Sequence, residues 1–156
     1  MCFRQPAVIQ TPKPLNLKVF KMKQVFVFGS NEAGVHGAGA ARVAYEKHGA
    51  RWGKGFGHYG DSFAIPTKSP NIETLELNTI RKYVEAFLQY AAAHKNLTFK
   101  VTRIGCGLAG YQDTDIAPMF WEAPSNCIFD SAWLPVFQMM DETFRTKWTP
   151  EFWGSV

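Results

Sequence analysis

The chain has 156 residues, 46% of them hydrophobic and 15% aromatic, enough to bury one substantial core and to count as one domain. Its 17 basic and 13 acidic residues leave a net charge of +4, which permits an anionic ligand but is spread too thinly for a nucleic-acid tract. Three cysteines (Cys2, Cys106, Cys127) without metal-ligand spacing and no signal peptide argue for a reducing cytosol, and no apolar stretch nears the ~20 residues of a membrane span.

Residues 1–22 hold Pro6, Pro12 and Pro14 and no clear period. They read as a partly irregular N-terminal arm, with a short edge strand near 17–20. The single domain then runs over 23–156. Residues 25–28 form a continuous apolar strand of the kind buried on both faces of a mostly parallel sheet. A glycine loop follows, and Ala41, Ala44, Tyr45 and His48 recur at helical spacing, with Gly49 suited to the left-handed cap position.

Residues 51–61 hold four more glycines among Trp52, Phe56 and Tyr59 and read as an ordered loop. A short strand over 62–65 stops at Pro66. Asn78 is a candidate N-cap for the clearest helix, whose apolar face is Ile80, Tyr83, Val84, Phe87, Leu88 and Ala91. A β-rich run over 98–104 leads into a second glycine loop, GCGLAGY at 105–111. Thr114 is placed to cap a short helix through about Trp121, and 127–129 reads as a strand. Phe137, Met140, Phe144 and Trp148 are then spaced like one face of a helix, with Pro135 in its first turn.

Strands alternating with helices predict an α/β fold, a three-layer α/β/α sandwich with a mixed, mostly parallel sheet. In such sheets ligands sit at the carboxyl ends of the strands, where both glycine loops should open. The loops fit no common nucleotide motif. After Gly37-Ala38-Gly39, Arg42 stands where a dinucleotide fingerprint needs glycine, and no lysine follows Gly34 or Gly39 as a P-loop requires. A G-x-S-x-G nucleophile elbow is also absent.

Three segments together, HGAGAARVAYEKHGA (36–50), FAIPTK (63–68) and RIGCGLAGY (103–111), resemble the macrodomain superfamily. The likeness is greatest to the branch of the terminal ADP-ribose protein glycohydrolase and the bacterial DNA ADP-ribosylation antitoxin. The chain also resembles uncharacterised phage and bacterial proteins with a G-S-N…H-G-A-G signature. The resemblance covers roughly residues 25–130.

It implies an ADP-ribose-type ligand, free or carried on a modified macromolecule, with nucleic acid a partner only as a modified substrate. It implies no cofactor, metal or membrane. Its diphosphate would lie between Gly37, Ala38, Gly39 and Ala40 on one loop and Gly105, Cys106, Gly107, Leu108, Ala109, Gly110 and Tyr111 on the other. The approaching helix N-terminus adds its positive dipole end. Asn31 would sit near the distal ribose or shape a turn, and Tyr111 would cover the pyrophosphate or stack on a sugar. In the glycohydrolase branch the lysine matching Lys68 attacks the anomeric carbon, and an aspartate in the later loop moves the proton. That aspartate is Ala109 here, so Asp113 or Asp115 would have to reach in from the next turn. Two functions follow: a hydrolase of ADP-ribosyl linkages using Lys68, or a reader or sponge that only binds. His36 is expected to hydrogen-bond beside its glycine loop, His58 to order its own loop, and Cys106 to be a small buried residue without a catalytic role.

Overall fold

The computed structural model describes residues 22–140 and 151–154. Residues 1–21 of the expected N-terminal arm, including the edge strand expected near 17–20, lie outside them, as do Cys2 and the expected helical positions Phe144 and Trp148. The described elements are β1 (Lys23–Asn31), α1 (Gly39–Lys47), β2 (Gly57–Tyr59), β3 (Ser62–Lys68), α2 (Leu77–Ala93), β4 (Leu97–Val101), α3 (Asp113–Ile116), β5 (Cys127–Asp130), α4 (Leu134–Met140) and β6 (Glu151–Trp153). The strands form one sheet in the order β2-β3-β1-β4-β5-β6. All neighbours pair in parallel except β2, which runs antiparallel to β3.

The central position of β1 explains its apolar run. Val25 and Val27 face the core under α2, while Phe28 faces the smaller core under α1. Helices therefore cover both faces, giving the three-layer α/β/α arrangement that a parallel sheet needs. Ala41 and Ala44 present α1's small residues to Phe28 and Ala64, which lets the helix lie close to the sheet. From α2, Ile80, Val84, Phe87 and Ala91 are fully buried. Phe87 meets Phe63 and Phe99 edge-on, with ring centroids 4.9 and 5.4 Å away. The C-terminal end of α2 is held by buried Asn126, whose Nδ2 donates to the carbonyls of Ala91, His94 and Leu97. No helix among the described residues is long and apolar enough to cross a membrane.

Local details depart from the sequence reading for identifiable reasons. β3 does not stop before Pro66 but continues to Lys68: Pro66 still pairs with Ser30 of β1, β2 pairs with β3 only as far as Ala64, and one extra residue, Thr67, is taken up before the Asn31–Lys68 pair. Residues 57–59 pair as β2 rather than forming a loop. β4 ends at Val101, where Thr102 turns and donates both its N–H and its hydroxyl to the Val27 carbonyl (3.0 and 2.7 Å). The N-cap of α2 is Glu76, not Asn78, and α3 is capped by Gln112 in a reciprocal bond with Asp115, not by Thr114. The strand β6 pairs with β5 where the sequence suggested no strand.

Candidate functional site

The carboxyl ends of β1, β3 and β4 open onto a cleft of about 470 Å³, the position at which parallel sheets commonly hold ligands. Three segments wall it. The first is the loop from β1 into α1. Asn31, 8% exposed, closes this loop with both ends of its amide: Nδ2 donates to the Val35 carbonyl (2.7 Å), and Oδ1 accepts from the Val35 N–H (2.9 Å). The loop is backed by residues 51–55, and a Cβ added to Gly55 would stand 2.3 Å from the Asn31 carbonyl oxygen. Only glycine permits that approach. Ser30 Oγ donates to the Gly55 carbonyl from the other side.

The start of α1 has an unusual composition. Its N-cap, Ala38, offers no side-chain bond, and the first turn carries no acidic residue. The first N–H groups of a helix have no partner within it, and here they belong to Gly39, Ala40 and Ala41, all of which line the cleft. The second wall is 102–109. Backbone bonds from Gly110 to Gly107 (3.0 Å) and from Tyr111 to Gly105 (2.9 Å) hold its turn. Leu108, 69% exposed, reaches across so that its Cδ1 lies 3.4 Å from where a Cβ on Gly39 would be. The third wall is Thr67, Lys68 and Ile72. It is tied to the second by Thr74 Oγ1, which donates to the Ala109 carbonyl (3.0 Å), and by the Tyr111 hydroxyl, which donates to the Leu75 carbonyl (2.7 Å).

Lys68 and Arg103 are the charged residues of this lining, and no aspartate, glutamate or histidine belongs to it. Arg103 is fixed from behind. Its Nε and Nη2 donate to the two carboxylate oxygens of Asp113 at 2.9 and 2.7 Å, and Asp113 also accepts from the indole Nε1 of buried Trp133 at 2.8 Å. The Arg103 guanidinium holds the Asp113 carboxyl below the ordinary aspartate value, with Trp133 and Cys106 adding hydrogen bonds in the same direction. That carboxylate is engaged in a clamp and lies outside the cleft lining.

Of the residues singled out in the sequence, Asn31, Gly37, Ala38, Gly39, Ala40 and Lys68 line the cleft, as do Gly105, Gly107, Leu108 and Ala109. His36, Cys106, Gly110, Tyr111 and Asp113 do not. His36 is 1% exposed; its ring packs edge-on against Phe28 and Trp52, and its Nε2 donates to the Arg51 carbonyl at 3.0 Å. His58 bridges the Tyr90 hydroxyl and the Gly60 carbonyl at β2. Tyr111 packs against the main core. The lining residues absent from the sequence reading include Thr67, Thr102, Arg103 and Ile72. Arg103 was visible as the first letter of RIGCGLAGY at a strand end, whereas Ile72 carries no local signal.

Cys106 is half-buried. Burial first, then the neighbouring Asp113 carboxylate, pushes its thiol up to about 12, so the thiolate that reacts is scarce. Iodoacetamide at pH 8 should leave Cys106 unmodified in the folded protein and label it quickly in denaturant, as peptide mapping would show. Rapid labelling of the native protein would reverse this assignment. No family model, curated protein or solved structure matches the chain.

Proposed function

We propose that this protein binds ADP-ribose or a related NAD-derived nucleotide, as a non-catalytic module. The observation that carries the reading is the composition of the cleft: Lys68 and Arg103 line it, no acidic residue does, and an uncapped helix N-terminus meets a second glycine loop across it. Backbone N–H groups at a helix start, with the dipole behind them, favour a diphosphate. The resemblance to macrodomains supplies the nucleotide, and the cleft volume falls within the range of small-molecule sites.

Hydrolysis is the second reading, favoured by Lys68 alone. A lysine nucleophile acts as a neutral amine and needs a group to move the proton. Ala109 faces the cleft where the resembled branch has its aspartate, and Asp113 is bound to Arg103 and Trp133. We therefore favour binding without turnover. Calorimetry with ADP-ribose, NAD, cyclic ADP-ribose and AMP tests the first reading, and heat from ADP-ribose is the expected result. Silence from all four ligands ends it. For the second, wild type and Lys68→Ala are incubated with an ADP-ribosylated protein, and equal, background release is expected. Faster release by wild type would make the protein an enzyme.

A further inference from the structure

Ile72 is the only non-glycine residue with positive φ (64°) among the described residues. A β-branched side chain in the left-handed region is a genuine outlier. Packing does not explain it. Ile72 is 47% exposed and belongs to neither hydrophobic core. The turn that holds it is built to enforce the conformation. Ile72 N–H donates to the Ser69 carbonyl (2.9 Å), Ser69 N–H donates to the Glu73 carbonyl (2.7 Å), and Ser69 Oγ accepts from the N–H groups of Asn71 and Glu73. A bridge between Lys68 and Thr74 closes the hairpin beneath. Glycine or asparagine would satisfy the same turn without strain, yet an apolar branched residue stands there, and it lines the cleft beside Lys68.

We propose that Ile72 is a specificity residue whose side chain packs on the C–H face of the ligand's terminal sugar. The cleft then selects a nucleoside diphosphate that ends in ribose over one that ends in phosphate. The inference rests on the ADP-ribose reading above. A sugar offers an apolar face to isoleucine while its hydroxyls remain free for Lys68 and water. ADP ends at the diphosphate and leaves this wall uncovered, so it gains nothing from Ile72.

The test titrates ADP-ribose and ADP into wild type, Ile72→Gly and Ile72→Val, and melts each protein without ligand. Wild type should prefer ADP-ribose. Ile72→Gly should bind ADP-ribose roughly five- to tenfold more weakly, the loss of about half an isoleucine's apolar burial, with ADP affinity unchanged. Its unliganded melting temperature should equal or exceed that of wild type, because the strain is gone. Ile72→Val keeps the branch and should keep the preference. Equal losses for both ligands, no loss for either, or a lowered melting temperature in Ile72→Gly would each overturn the assignment. Should wild type bind neither ligand, the ADP-ribose reading falls and this inference with it. If wild type binds ADP-ribose and all variants match it, only the role of Ile72 falls.

Discussion

An aspartate at position 40 should abolish ADP-ribose binding while leaving the fold as stable as before, or slightly more so. Ala40 is exposed in the first turn of α1 and lines the cleft, so the new side chain needs no repacking. The two consequences have opposite signs. A carboxylate near a helix N-terminus stabilises the helix by about 0.3–1 kcal/mol. The same charge about 5 Å from a diphosphate repels each unit of its charge by about 3 kcal/mol at an effective dielectric near 20. The helix gain is shared by free and bound protein, so the repulsion sets the change in affinity, which should fall more than a hundredfold. Ala40→Asn has similar shape without charge and should bind within a few-fold of wild type. Calorimetry and thermal melting of the three proteins decide the matter. If Ala40→Asp retains affinity within tenfold, the anion does not sit at the start of α1.

Asp113→Ala carries the largest expected stability loss. It removes two charge-assisted bonds to Arg103 and strips the indole N–H of Trp133, a side chain with 0% exposure, of its acceptor. An abandoned buried donor costs about 1–3 kcal/mol, and the ion pair is partly exposed and adds less. Together they predict a loss of about 2–3 kcal/mol, or roughly 5–10 °C in melting temperature for a chain of this size. Asp113→Asn retains an acceptor for Trp133 and should lose less than Asp113→Ala. The same clamp sets a pH dependence. The folded-state pKa of Asp113 lies below the ordinary 3.8, so the unfolded chain binds the proton more readily. The stabilisation is complete above 3.8 and disappears as pH falls through the lower folded value. Acid melting curves of wild type and Asp113→Ala should thus draw closer below pH about 4, leaving the gap due to the Asp113–Trp133 bond, and run parallel above it. Parallel curves throughout would mean that the Asp113 carboxylate contributes nothing through its charge.

Sequence periodicity reveals elements whose physics is local. The 25–28 run and the Ile80, Val84, Phe87 and Ala91 stripe each declare their burial within a few residues, and both hold in the structure. What escaped depends on distant partners. β2 is three residues that become a strand only because β3 pairs with them, and Pro66 stays in β3 because Ser30 of β1 pairs with it. The cleft divides in the same way. Its glycine loops and Lys68 stand out in the sequence because glycine and a strand-end lysine are unusual in themselves. The orientation of Arg103 is set by Asp113 ten residues on and by Trp133 twenty residues beyond that, which no local pattern encodes. Ile72 is hidden for a different reason: strain is a property of backbone angle, and isoleucine is an ordinary letter.

The strand β6 has a consequence for the edge of the sheet. Trp153 donates its indole N–H to the Val101 carbonyl (3.2 Å) and lies under the Lys100 ammonium, while Phe152 packs near Phe129 and Phe137. Without residues 151–153, β5 would be the bare parallel edge of the sheet, open to pairing with another chain.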